Sequence, residues 1–352
     1  MLNKGNEQIQ QVGQGATAIQ ADGHVIINNG LSYSEVRSVV LDIFRSNFLQ
    51  LADDAKEVAR QRAEEITDKF LEKLQMENPA GLTQALTPDF QHGLFSVQRN
   101  FARNADTNLG DLLVDLLVDR TKHPSRDIVQ IVLNECLEVA PKITNDQLSV
   151  LAIVFFFKYC STHGILTFQQ LSAQLDRFVK PFIDTLPRNL ASYRHLEFAG
   201  CGTVQVTSSS LEDILLTSYQ GLFDKGIDAS ELSGATFYFK VNQQLTGRCA
   251  LDTSKIQVQA QNIAHLEKLI VAWSVSPGDA QRLRQAFGKN SLNAAESREK
   301  CIEQVPYMQN LFELWDNTPL NNLTLTSVGI GLAHANIKRL TGEFADLSIW
   351  MN

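Results

Sequence analysis

LSVLAIVFFFKY, residues 148–159, is the most apolar window of the chain, and its reading decides the fold class. It is twelve residues long, whereas a membrane-spanning helix needs roughly twenty. It therefore reads as a helix buried in a protein core. The alternative is a short apolar segment that lies in a membrane interface or becomes exposed on activation. A helix apolar on every side must be surrounded by other elements, and the neighbouring sequence supplies helices. Thr144 and Gln147 form a capping-box pair ahead of it, and Gly164 ends it.

Working outward, residues 86–187 read as a helical domain. Thr87-Pro88-Asp89 starts a helix over 88–104, with Pro at its first turn. Residues 109–119 put Leu112, Leu113, Leu116 and Leu117 on one side and Asp111, Asp115 and Asp119 on the other. Residues 126–139 are the next helix, closed by Pro141. Residues 167–186 follow, with Pro181 expected to kink or divide them. Beyond Pro187 the texture changes, and residues 188–352 read as a small α+β, winged-helix-like domain. Residues 197–207 read as a short strand or hairpin, and 255–259 and 344–351 as strands; expected helices are 211–222, 261–274, 278–287, 292–316 and 330–340.

The N-terminal side differs. Residues 1–30 are rich in Gly, Gln and Asn. Asp22-Gly23 offers a turn between strand candidates 16–20 and 24–28, a short Gly-rich β-hairpin. A lone hairpin is marginal in water. It packs on its own body, forms a tail, or pairs between copies, and the Gln/Asn content and low charge suit pairing. Residues 31–76 read as one long amphipathic helix with Val36, Val40, Phe44, Phe48, Leu51, Ile66 and Phe70 on its apolar face. Continuous, it would span roughly 60 Å; a break near Ala52–Ala55 is the alternative. Its other face is densely charged and reads as solvated, with Glu65 and Lys69 a supporting pair. The assembly candidates are Ala16, Ala18, Ile19, Val25, Ile27, Val40, Phe44, Phe48 and Leu51.

Composition excludes some chemistries. Apolar residues make up 44% and charged residues 20%, with a formal charge of -8. A basic recognition helix is missing, so there is no strong nucleic-acid signal. Five cysteines stand far apart without a CxxC, which points to reduced thiols and the cytoplasm. No catalytic, cofactor-binding or metal residues are assigned. Two clusters keep an enzymatic reading open: the acidic stripe Asp111, Asp115 and Asp119, and the neighbours His195, Glu197 and Cys201. A solvated helix face and a buried thiol are the plainer readings of the two.

The opening pattern GxGxxAIQAxGxVxIxxG at 13–30, followed by LSYSEV and a helix containing Phe44, Asn47 and Phe48, resembles a family of uncharacterised bacterial proteins. The ending LTLTSVGIGLAHANIKRL at 323–340 and the helical run 110–187 are similar to abortive-infection alpha-type proteins, although the Gly-rich opening is extra to that type. These resemblances imply a bacterial cytoplasmic protein tied to phage defence, and they carry over no catalytic residue. The resulting expectation is a mainly α, self-assembling, non-enzymatic homo-oligomer, triggered by a phage or host protein. Two alternatives stay open: a membrane-disrupting effector using 148–159, and a hydrolase or nuclease whose site is not recognisable from sequence.

Overall fold

The computed structural model describes residues 32–47, 53–232, 239–240 and 243–351. Two N-terminal helices, α1 (Tyr33–Asn47) and α2 (Asp53–Glu77), lie where one long helix was expected. Arg37 Nε of α1 donates to Asp68 of α2 at 2.6 Å. In one straight helix these residues would stand about 46 Å apart, so the two helices pack back on each other. A 3₁₀ segment at Pro79–Leu86 leads into α3 (Pro88–Asn104), α4 (Thr107–Thr121) and α5 (Ile128–Val139). The start of α3 carries Pro88 in its first turn, and Ala105 ends it in the left-handed region at φ 52°.

The apolar window is α6 (Asn145–Tyr159), opened by the Thr144–Gln147 capping box. Its residues 147–157 are all buried. Phe155 meets Trp350 edge-on at 4.9 Å, Phe156 stacks on Phe178 at 6.0 Å, and Phe157 meets Trp315 at 5.7 Å. Even Lys158, in its last turn, is committed: its Nζ donates to the carbonyls of Asn321 and Leu323 at 2.9 and 3.0 Å. Burial without a carboxylate partner pulls that ammonium down to about 8.

Pro181 does divide its segment, into α7 (Phe168–Phe178) and α8 (Lys180–Ile183). Then come α9 (Leu190–Phe198), β1 (Gly202–Val204) and α10 (Leu211–Ser218). The expected strand or hairpin at 197–207 is thus a helix end followed by three strand residues. Their partner is the segment Leu323–Leu325, far along the chain, rather than a neighbouring arm. Short strands follow: β2 (Phe239–Lys240), β3 (Gln243–Gln244), β4 (Thr246–Arg248) and β5 (Ile256–Val258). Next are α11 (Ile263–Ala272), α12 (Pro277–Ala286), α13 (Ala294–Gln304) and α14 (Met308–Asn317). The expected single helix 292–316 is two, separated around Pro306, which cannot donate a helical hydrogen bond.

The chain ends with β6 (Leu323–Leu325), α15 (Ser327–Thr341) and a 3₁₀ turn at Leu347–Trp350. β1 and β6 pair antiparallel with Thr203 opposite Thr324; β2 pairs with β3 and β4 with β5 in separate sheets. Phe344–Met351 is not the expected strand. Asp346 accepts from the Ser348 N–H at 2.9 Å and turns the chain. Trp350 Nε1 donates to the Tyr159 carbonyl at 2.8 Å, which straps the segment across α6. One apolar core runs from Val36 to Met351 and crosses residue 187, and a second, smaller core lies within 227–287. No helix among the described residues is long and apolar enough to cross a membrane.

Candidate functional site

The acidic stripe of α4 faces a second helix. Lys69, Lys73 and Glu77 recur every four residues on α2, as Asp111, Asp115 and Asp119 do on α4. Equal spacing means that two helices running side by side in the same direction repeat one pairing at every turn. Lys69 pairs with Asp111, and Lys73 with Asp115. On the third rung two carboxylates, Glu77 and Asp119, face each other. Two further lysines resolve the repulsion. Lys122 Nζ lies 2.7 Å from Asp119 and 3.0 Å from Glu77, and Lys338 Nζ of α15 lies 2.7 Å and 3.4 Å from the same pair. The expectation of a solvated acidic face is corrected: the stripe is an interhelical charge ladder that joins α2, α4 and α15.

Burial sets the protonation behaviour of the ladder. The Asp115 residue is 4% exposed, and desolvation pushes its carboxyl up against the pull of Lys73 and Lys338. Burial also opposes ionisation of Asp119 and Glu77. In both, the charges and hydrogen bonds of Lys338 and Lys122 overcome it and hold the carboxyls below their usual range. The ladder's end lines a cavity of about 280 Å³ together with His123, His334 and the 344–347 segment. His334 is buried and its Nε2 donates to the Ala345 carbonyl at 2.6 Å. Its ring meets Phe344 at 5.5 Å and Trp350 at 5.9 Å. Desolvation pulls its pKa down, since the charged form would lose water in this setting.

Chemically the ladder is balanced: each carboxylate already holds an ammonium, so its lone pairs are not free for a cation or a reacting group. Among the described residues no three His, Cys, Asp or Glu side chains are grouped to hold a metal ion. The second cluster does not converge. His195 Nδ1 lies 3.0 Å from the Gln147 side-chain amide, and Glu197 Oε1 accepts from the Val204 N–H at 2.7 Å. Cys201 is fully buried, and burial pushes its thiol up to about 12, so it is a thiol rather than a nucleophilic thiolate at neutral pH. His195 ties α9 to α6, Glu197 ties α9 to β1, and the Cys201 thiol faces the Ala199 carbonyl two residues before it.

Of the assembly candidates, Val40 is 1% exposed in the main core, and Phe44 is 2% exposed beside Ala59, Ala63 and Ala102. Both are covered within one chain and present no apolar face to a second copy. Ala16, Ala18, Ile19, Val25, Ile27, Phe48 and Leu51 lie outside the described residues. Sequence reading missed Lys69, Lys73, Glu77 and Lys338 as members of the ladder, and gave Lys69 to Glu65 rather than to Asp111. Lys73 could be found from the matching four-residue repeats of opposite charge on α2 and α4; nothing local marks Lys338.

One family model, whose description reads only ":-like", matches residues 30–351, and the chain belongs to that family. That description names no activity, and the expected similarity to abortive-infection alpha-type proteins has no counterpart in it. No curated protein matches the chain, and no solved structure does.

Proposed function

We propose that the protein is a non-enzymatic, self-assembling factor: a helical body that carries the Gly/Gln/Asn-rich segment 1–30 as the contact between copies. The observation that carries this reading is the commitment of the candidate catalytic groups to structural bonds. The acidic stripe is neutralised by lysines, and His195, Glu197 and Cys201 point to separate partners. The burial of Val36, Val40 and Phe44 supports it further, because α1 is pinned to the body and the segment before Ser32 starts from a fixed point.

Membrane disruption by 148–159 is less well supported. Ten apolar or small side chains from Leu148 to Phe157 are buried. Exposing an apolar side chain costs about 1.5–3 kcal/mol, so freeing the helix in water exceeds the ~5–15 kcal/mol stability of a typical domain. A part in phage defence, with a phage or host protein as trigger, rests on the resemblance of the opening motif, the helical run 110–187 and the closing motif.

The test is native mass by light scattering. The full chain should be an oligomer, and a chain beginning at Ser32 should be a monomer. A full-length variant carrying Ile19→Asp, Val25→Asp and Ile27→Asp should also fall to a monomer. An unchanged oligomer in both variants, or a monomeric full chain, sinks the reading.

A further inference from the structure

A cavity of about 540 Å³ lies between the first turn of α3, the end of α4 and the outer face of α5. That volume falls within the range of small-molecule sites. Its floor is Arg120, only 2% exposed. The guanidinium Nη1 donates to Gln84 Oε1 at 2.9 Å and Nε to Asn134 Oδ1 at 3.3 Å, while Nη2 meets Asp89. A guanidinium has five N–H donors, and these contacts leave two unused. Asp89 is an incomplete counter-charge, because its side chain is 53% exposed. Removing a guanidinium from water costs several kcal/mol unless a desolvated partner compensates.

The same cavity is lined by Arg126 and Glu135, both exposed. Among the described residues neither has an ion pair or a side-chain hydrogen bond. Ile131, 38% exposed, supplies an apolar wall. The lining therefore holds two guanidiniums and two carboxylates and has no net charge. A simple anion would be attracted by the arginines and repelled by Asp89 and Glu135, and a simple cation would meet the reverse. A molecule with an anionic and a cationic group a few bonds apart satisfies both.

We propose that this cavity between α3 and α5 binds a small zwitterion of amino-acid or dipeptide type, with its carboxylate on Arg126 and the Arg120 floor and its ammonium on Glu135, the carboxylate of the lining that holds no cation of its own. The site is independent of assembly through residues 1–30, so either reading can fail without the other.

Calorimetric titration of the full chain tests it, using leucine, the dipeptide Ala-Leu, N-acetyl-Ala-Leu-amide and inorganic phosphate as probes. Saturable binding of leucine or Ala-Leu is expected, and the tighter of the two assigns the source as free amino acid or short peptide. The blocked peptide and phosphate should not compete. Arg126→Ala and Glu135→Ala, both at exposed positions, should each weaken binding by about tenfold or more, the scale of a charged hydrogen bond. No heat from either zwitterion at millimolar concentration overturns the proposal. So does phosphate or the blocked peptide binding equally well, or wild-type affinity in both variants.

Discussion

The main body and the smaller unit around residues 227–287 are built on different terms. The body buries a continuous apolar core, with Phe155, Phe182, Phe312 and Trp315 among its fully buried side chains. The smaller unit buries eleven apolar residues, three of them alanines. A core of that size is marginal by itself. Its attachment to the body is a set of directed polar contacts. The Gly221 N–H donates to the Gln261 carbonyl at 2.9 Å, and Gln257 Nε2 donates to the Gly221 carbonyl at 3.0 Å. Gln261, itself buried, donates to the Thr162 carbonyl at 2.5 Å and accepts from the Ile165 N–H at 3.0 Å. A Cβ on Gly221 would stand 2.0 Å from the Ala260 carbonyl oxygen, so backbone meets backbone there. The comparison teaches that apolar area stabilises one region, while buried amides set the position of the other.

The largest test of this contrast is Phe155→Ala. Removing that ring from the body should cost about 3–5 kcal/mol and lower the denaturation midpoint of the whole chain. Leu266→Ala, from the small core, should cost about 2–5 kcal/mol but act locally. Hydrogen exchange should then show lost protection across α11 and α12 while the amides of α6 stay protected; equal loss in α6 would mean that the two regions unfold as one unit.

Smaller effects sharpen the role of the charge ladder in the body. Lys338→Met leaves Asp119 with Lys122 alone and Glu77 with Lys122 and Lys73, at a cost of about 1.5–3 kcal/mol near neutral pH, the range for a hydrogen bond to a charged group. The pH dependence follows from the lowered folded-state pKa values of Asp119 and Glu77. Their contribution is present above the unfolded carboxylate values and is lost as pH falls through the folded ones. Wild type and variant should therefore converge in thermal stability well below pH 4, near the ordinary range of these acids. Persistence of the full difference there would count against an electrostatic origin.

The smallest expected effect belongs to His334. Its folded-state pKa is lowered by burial, so the unfolded chain takes up the proton first. Stability should decline as pH falls below about 6.5, the ordinary histidine value. His334→Gln should flatten that decline between roughly pH 6.5 and 5, as followed by thermal melting. An unaltered slope would remove His334 as its source.

Most helix positions were legible in the sequence because their signals are local. Pro88 stands at a first turn and Thr144 with Gln147 closes a capping box, while the Pro277 helix start and the Asn293–Glu296 capping box are two local signals that the sequence reading passed over. The strand at 256–258 was legible from alternation. The 344–351 segment was misread because an apolar, aromatic stretch suits a strand and an aromatic strap equally. Only the open surface of α6 and His334 chose the strap.

The candidate sites divide along the same line. The stripe of three aspartates was visible at once, since a period of four residues is a property of one helix. That it is a ladder depends on α2 lying parallel to α4 and on Lys338 arriving from α15. The sequence alone determined a mainly helical chain around a buried apolar helix, because caps, prolines and apolar periodicity act over a few residues. Which charges neutralise one another, which guanidinium floors a cavity, and how the small unit is attached were decided only by the tertiary structure. Those outcomes rest on the relative direction and register of elements far apart in the chain, which no local pattern encodes.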